Sequence, residues 1–329
     1  MSVTRPLSGV LRSGLKRVHP GIGRDVSRVV RTLAADATSR RWLNACYRRL
    51  SFQQMSAFHA RFAKLFRGIR GPVDDGRWVV DFGGRPVLLP LTADRFWLDW
   101  DAALSILGHE IEIKTTYLSL IRGADPPDLF VDVGASYGTH SILFLVHGIK
   151  TVSFEPNTSC HDYFRELCAF NGVTPSIVGL ALGDRAGRTD LWFPDTESWL
   201  GTTNAGIRDE LAADRELVRH RVEQATLDEQ LGTVAAGGLL LKIDTEGSES
   251  AILKGATRTL ASHRPLVIFE SFRDHGRSEL FDFLSAFDYV IHALPWARGR
   301  SSPAFEQSTF DESPGSNFIA VPAWPSRAR

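Results

Sequence analysis

Cysteine is scarce in this chain of 329 residues, which has only Cys46, Cys160 and Cys168. No two of them form a C-x-x-C pair, and their number is odd. A sparse, odd set argues against a disulfide framework and against a cysteine-based zinc site. It is typical of proteins in a reducing compartment, so we expect a cytoplasmic location.

Long apolar runs are also missing. No stretch approaches the roughly 18 consecutive apolar residues of a membrane-spanning helix, and the first residues lack the apolar stretch of a secretory signal. The sequence therefore predicts neither a membrane span nor an export signal. A hydrophobic fraction of 43% still supports a sizeable core, and the length allows one large domain or two smaller ones.

Acidic residues are rare in residues 1–67. This region has fourteen lysines and arginines but only two acids, Asp25 and Asp36, although the whole chain has no net charge. Such a region can bind a membrane surface or another acidic partner, or pack as a helical arm on the acidic remainder of the chain. Its phenylalanines recur at helical spacing, which is typical of a core, so the nucleic-acid signal is weak.

The most informative motif lies between residues 129 and 155. The apolar run 129–133 predicts a buried strand that contains Asp132. Gly134 and Gly138 follow, then an apolar helix, and then a second strand that ends at Glu155. Strand, glycine turn, helix, strand and acid together are typical of a nucleotide-binding unit, in which the acid accepts hydrogen bonds from the ribose hydroxyls.

The glycine spacing separates two classes of cofactor. The pattern is D-x-G-x-x-x-G, and Ser136 stands between the two glycines. The glycine that lets a dinucleotide pyrophosphate approach the backbone is therefore missing. S-adenosylmethionine carries a ribose and an adenine but no phosphate, so the pattern favours it over NAD. A nicotinamide-dependent oxidoreductase stays open as an alternative.

Pro126-Pro127 mark the clearest boundary, and strands and helices alternate after them. Alternation of this kind predicts an α/β fold, a parallel sheet with helices on both faces. We predict an accessory region at 1–125 and a nucleotide-binding domain at 126–325. The accessory region is expected to be loosely ordered over residues 1–25, helical from about 25 to 65, and to contain a hairpin that turns at Gly83-Gly84. In the second domain, strands are predicted at 129–133, 151–155, 176–179, 239–243, 266–269, 289–292 and 318–321.

Acids are predicted at the edge of this sheet where ligands bind, outside the carboxyl ends of the strands. They are Asp132, Glu155, Asp184, Asp244, Glu246 and Glu270. One acid at such a position often caps a helix. Six at one edge indicate a shared pocket.

Residues 128–272 resemble the FkbM-type methyltransferases, which depend on S-adenosylmethionine. The resemblance rests on residues 131–135 (V-D-V-G-A), 154–157 (F-E-P-N), 180–184 (L-A-L-G-D), 226–228 (T-L-D), 241–249 (L-K-I-D-T-E-G-S-E) and 253–256 (L-K-G-A). Ser136 departs from the family's usual asparagine, and His109 replaces an aromatic residue in Gly108-His109-Glu110. The resemblance implies the class I Rossmann-like fold, with a seven-stranded, mostly parallel sheet and helices on both faces.

The resemblance also implies a cofactor site. Its expected members are Glu110 for the ammonium, Asp132, Gly134, Ser136 and Gly138 around the methionine end, Glu155 for the ribose, and Asp184 near the adenine.

Catalysis is expected at Asp244 and Glu246. Either one of them is the general base or both hold a divalent cation, and Glu246 has the alternative of a residue that begins a helix. His140 is a further candidate base, with the alternative of a polar core residue, and His109 is a weaker one. Residues expected at the acceptor are Glu270 and, in an insertion over 195–217, Trp199, Thr202, Thr203 and Asn204.

The expected activity is therefore transfer of a methyl group to a hydroxyl of a small acceptor. By resemblance, that acceptor is a sugar, a glycolipid or a polyketide-like molecule. Two alternatives remain: an NAD-dependent oxidoreductase, and a non-catalytic module that retains the fold and binds an acidic partner through its basic region.

Overall fold

The computed structural model describes residues 20–47, 49–66, 78–92, 94–195, 197–232, 237–273 and 275–323. The chain forms two compact units. The first extends to Val80 and also includes Leu89–His109, and the second contains Asp81–Leu88 and the chain from Glu110 onward. The domain boundary between residues 125 and 126 stays a prediction. The loose order expected for residues 1–19 lies outside the described residues.

The first unit is mainly helical. Its helices are Pro20–Ala35, Ala37–Tyr47, Phe52–Phe62 and Phe96–Gly108, with a 3-10 turn at Ala63–Phe66. Helix Pro20–Ala35 begins earlier than we expected, because proline is compatible with the first turn of a helix. Phe62 and Phe66 are buried, and the ring of Phe66 packs edge-on against Trp100. These two phenylalanines are core residues, as their helical spacing predicted.

The described part of the basic region presents one exposed, charged face. On helix Pro20–Ala35, Val30 and Ala34 are buried, whereas Arg24, Arg28 and Arg31 are exposed. Attachment of this face to a membrane or an acidic partner stays a prediction. In the described part of the chain, no helix combines the length and the apolar character that a membrane crossing requires.

Twelve strands are described, and they form three sheets. In chain order they are β1 (Trp78–Phe82), β2 (Arg85–Leu89), β3 (Leu129–Val133), β4 (Lys150–Phe154), β5 (Ile177–Val178), β6 (Ala181–Leu182), β7 (Gly187–Pro194), β8 (Leu217–Ala225), β9 (Leu239–Ile243), β10 (Leu266–Glu270), β11 (Tyr289–Ala293) and β12 (Asn317–Pro322). Strands β1 and β2 form the predicted hairpin. Both turn residues, Gly83 and Gly84, have positive φ angles of 65° and 88°, which glycine adopts without a steric penalty.

The main sheet has seven strands in the order β11-β12-β10-β9-β3-β4-β5. Strands β3, β4, β5, β9 and β10 are parallel, and β12 runs antiparallel to both β10 and β11. All five residues of β3 and of β9 are buried. Strands buried on both faces are nearly continuous apolar runs, which explains why the sequence predicted them well.

The second unit contains nine α-helices among the described residues. They are Ile111–Ile121, Ser141–Leu145, His161–Phe170, Ala205–Ala212, Leu227–Leu231, Glu249–Lys254, Thr257–His263, Arg277–Ala286 and Gln307–Glu312. Helices Glu249–Lys254 and Thr257–His263 are separated by Gly255-Ala256. A side chain at Gly255 would overlap the carbonyl oxygen of Gly183, so the two backbones pack directly on each other there.

A second sheet, of order β6-β8-β7, corrects one expectation. Strand β6 pairs with β8, and Gly183 N donates to Ala225 O at 3.0 Å. Asp184 therefore follows a strand of this smaller sheet and does not follow a strand of the main sheet. The predicted insertion (195–217) lies between β7 and β8, which pair antiparallel from Gly187 with Gln224 to Pro194 with Leu217, and it contains helix Ala205–Ala212.

Substitution of Leu241 by alanine tests the core. Leu241 lies in β9, between β3 and β10, and is fully buried. We expect Leu241→Ala to lower the free energy of unfolding by about 2–5 kcal/mol, because it removes buried methyl groups and leaves a cavity. Urea denaturation measures this. Val29→Ala, at a position that is 55% exposed, is the control and should change stability little.

Candidate active site

The glycine loop (residues 134–138) follows β3 and has two tight contacts. Gly134 has a φ of 80°, and a Cβ there would overlap the carbonyl oxygen of Asp244. Gly138 has a φ of 76°, and a Cβ there would overlap the ring of Phe164. Both predicted glycines are therefore required by backbone angle and by space. The amide of Gly134 also donates to Phe154 O at 3.0 Å, which ties the loop to β4.

Glu155 directly follows β4 and holds the glycine loop. Its Oε2 accepts the Ser136 amide at 2.7 Å, and its Oε1 accepts the Asn157 amide at 2.7 Å. Burial raises the pKa of Glu155 to about 7, although the two amide hydrogen bonds oppose that shift. Glu155, which the sequence predicts to bind the ribose hydroxyls, thus also stabilises the glycine loop through its own hydrogen bonds.

A buried charge network lies beneath the loop. Lys242 Nζ is 3.0 Å from Asp244 Oδ2 and 3.8 Å from Asp132 Oδ1. Asp132 Oδ2 also accepts the Ser141 hydroxyl at 2.6 Å. Burial raises the pKa of Asp132, with Lys242 opposing. For Lys242, burial favours the neutral amine, but Asp244 and Asp132 outweigh it and the pKa is raised.

Sequence reasoning did not assign Lys242 a role. The signal was present, because Lys242 is the one charged residue in the apolar run 239–243. Its side chain is 2% exposed, and it pairs in register with Asp132 on the neighbouring strand. Asp132 is fully buried in this network, so any effect of its carboxylate on a ligand would be transmitted through Ser141 and Lys242.

Three acids form a cluster at the ends of β9 and β10. Carboxylate oxygens of Asp244, Glu246 and Glu270, hereafter the acid cluster, lie within 4.8 Å of one another. Burial and the nearby Asp244 raise the pKa of Glu246 to about 8, and the same two causes raise the pKa of Glu270 well above its ordinary value. Glu270 Oε2 is buried and has no hydrogen-bond partner among the described residues. This arrangement is suited to hold a proton or a divalent cation between the acids.

His140 joins Glu110 to Tyr117. Its Nε2 is 3.1 Å from Glu110 Oε2, and its Nδ1 is 3.0 Å from the Tyr117 hydroxyl. Burial and the charge of Lys242 lower the pKa of His140 to about 3, although the hydrogen bond with Glu110 opposes that shift. The ring is therefore neutral near pH 7, with Nε2–H donating to Glu110 and Nδ1 accepting from Tyr117. A base this weak is poorly matched to proton transfer near neutrality.

Four further residues that the sequence predicts for the site lie in three different parts of the structure. His109 belongs to the first unit, where its ring is 4.9 Å from that of His59. Asp184 is exposed, with its carboxylate 4.0 Å from Arg185. Thr202 and Asn204 donate hydrogen bonds to the carbonyls of Glu246 and Gly247, and their expected contact with the acceptor stays a prediction.

Residues 132–294 match the family model described as the methyltransferase FkbM domain. The chain carries an FkbM methyltransferase domain. The matched range includes the glycine loop, Glu155, Lys242 and the acid cluster. Glu110 and Tyr117 precede it. Among curated proteins, none matches the chain.

Three solved structures show similarity at low identity. The methyltransferase FkbM from Methylobacillus flagellatus KT is 16% identical, with a TM-score of 0.38, over 69% of this chain and 54% of that one. A precorrin-6y C5,15-methyltransferase from Geobacter metallireducens is 12% identical, with a TM-score of 0.34, over 67% and 89%. A SAM-dependent methyltransferase from Agrobacterium tumefaciens is 10% identical, with a TM-score of 0.33, over 76% and 72%. The chain thus spans about half the length of the M. flagellatus protein.

Two glycines with nearly equal φ angles give a matched test of the loop. Gly134 (φ 80°) packs against the Asp244 carbonyl, whereas Gly148 (φ 77°) has open space at its Cβ position. We expect Gly148→Ala to cost about 1–2 kcal/mol, from backbone strain alone. Gly134→Ala should cost clearly more, because a backbone overlap is added to the same strain. Urea denaturation compares the two, and equal losses would contradict the close approach.

The raised pKa values predict how stability depends on pH. Glu155 and Glu246 titrate near 7 and 8 in the folded protein, above their ordinary value of 4.5. Between about pH 5 and 8, the folded state therefore binds more protons than the unfolded state, so the free energy of unfolding falls as pH rises. Urea denaturation across this range should show a shallower fall for Glu246→Gln. The exposed Glu216→Gln is the control, and an equal fall in all three proteins would contradict the assignment.

Proposed function

We propose that this chain transfers a methyl group from S-adenosylmethionine to a hydroxyl of a small acceptor, of the sugar, glycolipid or polyketide type. The observation that carries the proposal is the direct contact between Gly134 and the carbonyl of Asp244. This contact joins the glycine loop to the acid cluster. A cofactor bound by the glycine loop would therefore have its reactive end beside the acid cluster. The FkbM domain supports methyl transfer as the reaction.

The residues of the glycine loop fit S-adenosylmethionine. A carboxylate has about four lone-pair positions, and the amides of Ser136 and Asn157 use two of those on Glu155. The others are available to ribose hydroxyls. Gly134 and Gly138 leave the backbone without side-chain bulk. When bound, this cofactor supplies an electrophilic methyl group on a sulfonium.

Three further residues are proposed to contact or influence the cofactor because of where they lie around the glycine loop. Glu110, held by His140, would accept the ammonium of the methionine end. Asp132 would act from beneath the loop, through its hydrogen bond from Ser141. Asp184, exposed after β6, would lie toward the adenine.

The acid cluster would handle the acceptor's proton. A hydroxyl has a pKa far above neutral, so it needs a base or a cation to become a good nucleophile. Glu246, with a pKa near 8, is matched to take a proton near neutral pH. Asp244 Oδ2 lies 3.0 Å from Lys242 Nζ. His140 is less suited, because both of its ring nitrogens are engaged and its pKa is low.

A divalent cation is the second proposed role of the cluster. Its three carboxylates form an all-oxygen set, which suits Mg²⁺, Mn²⁺ or Ca²⁺. The buried Oε2 of Glu270 has no hydrogen-bond partner among the described residues, and a cation would satisfy it.

Binding of S-adenosylhomocysteine tests the cofactor assignment. We expect calorimetric titration to give a micromolar dissociation constant for wild type, and at least a tenfold weaker one for Glu155→Ala, because hydrogen bonds to a buried charged group are lost. Asp162→Ala, at a side chain that is 92% exposed, is the control.

NAD is titrated in parallel to test the oxidoreductase alternative. Binding of NAD in place of S-adenosylhomocysteine would reject the proposal. Binding of S-adenosylhomocysteine without turnover on any sugar, glycolipid or polyketide acceptor would favour the non-catalytic module.

Binding of Mn²⁺ tests the cation. We expect wild type to bind Mn²⁺, as measured by electron paramagnetic resonance, and Glu270→Gln to bind it at least tenfold more weakly, because one of three carboxylate ligands is neutralised. The exposed Glu312→Gln is the matched control. No Mn²⁺ binding, with turnover insensitive to a chelator, would leave Glu246 as the proton acceptor and reject the cation.

A further inference from the structure

A short segment of the insertion contacts both loops of the site. This bridging segment (residues 198–204) lies between β7 and helix Ala205–Ala212. At its start, the Ser198 hydroxyl lies 2.9 Å from the hydroxyl of Tyr137 in the glycine loop. At its end, Thr202, Thr203 and Asn204 all contact the acid loop (residues 244–249).

The three contacts fall on three consecutive residues. Thr202 Oγ1 donates to Glu246 O at 2.7 Å, and Asn204 Nδ2 donates to Gly247 O at 2.6 Å. The hydroxyls of Thr203 and Ser248 are 2.7 Å apart. Three consecutive side chains therefore hold the acid loop, two of them through its backbone carbonyls and one through the Ser248 hydroxyl.

Glu246 needs such support. Its φ is 53°, in the left-handed region, and it is not a glycine. A residue in this conformation persists only when its surroundings hold it there. The conformation determines where the Glu246 carboxylate points, and that carboxylate lies within 4.8 Å of those of Asp244 and Glu270.

Thr202 is itself firmly anchored. It is fully buried, and its backbone exchanges two hydrogen bonds of 2.9 Å with Trp192 of β7. Its hydroxyl also accepts the Asn204 amide at 2.9 Å. Gly247 has no space for a side chain, because a Cβ there would lie 2.7 Å from Ile207 Cγ1. The small sheet thus supplies a rigid base from which the bridging segment reaches the acid loop.

We propose that Thr202, Thr203 and Asn204 are positioning residues that hold Glu246 in its left-handed conformation and so place its carboxylate in the acid cluster. This deepens the proposed function, since it assigns the orientation of the proposed proton acceptor to the bridging segment. The same segment was expected from sequence to contact the acceptor.

Hydrogen–deuterium exchange on the full chain without ligand tests the positioning directly. Thr202→Val keeps the side-chain shape and removes the hydroxyl, whereas Thr202→Ser keeps the hydroxyl. We expect the acid loop to exchange about tenfold faster in Thr202→Val and at nearly the wild-type rate in Thr202→Ser, the scale expected for one lost hydrogen bond. Peptides from β3 serve as the reference. Wild-type exchange in Thr202→Val would overturn the proposal.

Asn204→Asp separates positioning from helix capping. Asn204 Oδ1 accepts the amides of Gly206 and Ile207 at the start of helix Ala205–Ala212, and aspartate keeps that acceptor. It loses the Nδ2 donor to Gly247. We expect faster exchange in the acid loop and unchanged exchange in the helix. A change confined to the helix would show that Asn204 is a cap alone, and would overturn its proposed role.

Kinetics distinguish this proposal from the proposed function. In Thr202→Val we expect kcat to fall about tenfold, with the S-adenosylhomocysteine dissociation constant within twofold of wild type, and kcat to recover in Thr202→Ser. Faster loop exchange with an unchanged kcat would overturn the positioning role. If wild type failed to bind S-adenosylhomocysteine, the proposed function would fail, while the exchange experiment would still decide whether the segment positions Glu246.

Discussion

A buried ammonium group between two carboxylates is the interaction on which the site depends. Lys242 lies 3.0 Å from Asp244 and 3.8 Å from Asp132, with 2% of its side chain exposed. Removal of a charge from water costs several kcal/mol, which only well-placed partners offset. Because Asp132 and Lys242 face each other on β3 and β9, this pairing orients groups on two central strands at once. Loss of Lys242 would leave two carboxylates in a low-dielectric environment.

The charge network also determines the protonation of the acids beyond it. The positive charge of Lys242 is paired with Asp244 and Asp132. Burial and repulsion between the acids therefore dominate the pKa values of Glu246 and Glu270. Both pKa values rise. Strongly shifted pKa values of this kind cluster at functional sites.

Three residues of the candidate active site have strained backbone conformations. Glu110, Ser136 and Glu246 each have a positive φ, an uncommon conformation that costs about 1–3 kcal/mol per residue. Each is held by a partner elsewhere in the second unit, namely His140 for Glu110, Glu155 for Ser136 and Thr202 for Glu246. Strain of this kind is offset by packing and hydrogen bonds, and at functional sites it orients reactive groups in advance of binding.

The sequence alone determined the strands of the main sheet, the glycine loop and the position of Glu155 directly after a strand. These follow from local patterns, because buried parallel strands are apolar runs and their carboxyl ends carry the ligand-binding residues. Only the tertiary structure decided which of the six predicted acids cluster, namely Asp244, Glu246 and Glu270. It also decided that β6 pairs in the smaller sheet and that Thr202–Asn204 contact the acid loop. These features depend on contacts between residues far apart in the chain, such as Thr202 with Glu246 across 44 positions. The periodicity of a segment reports which of its faces is buried, but it carries no information on which distant segment covers that face.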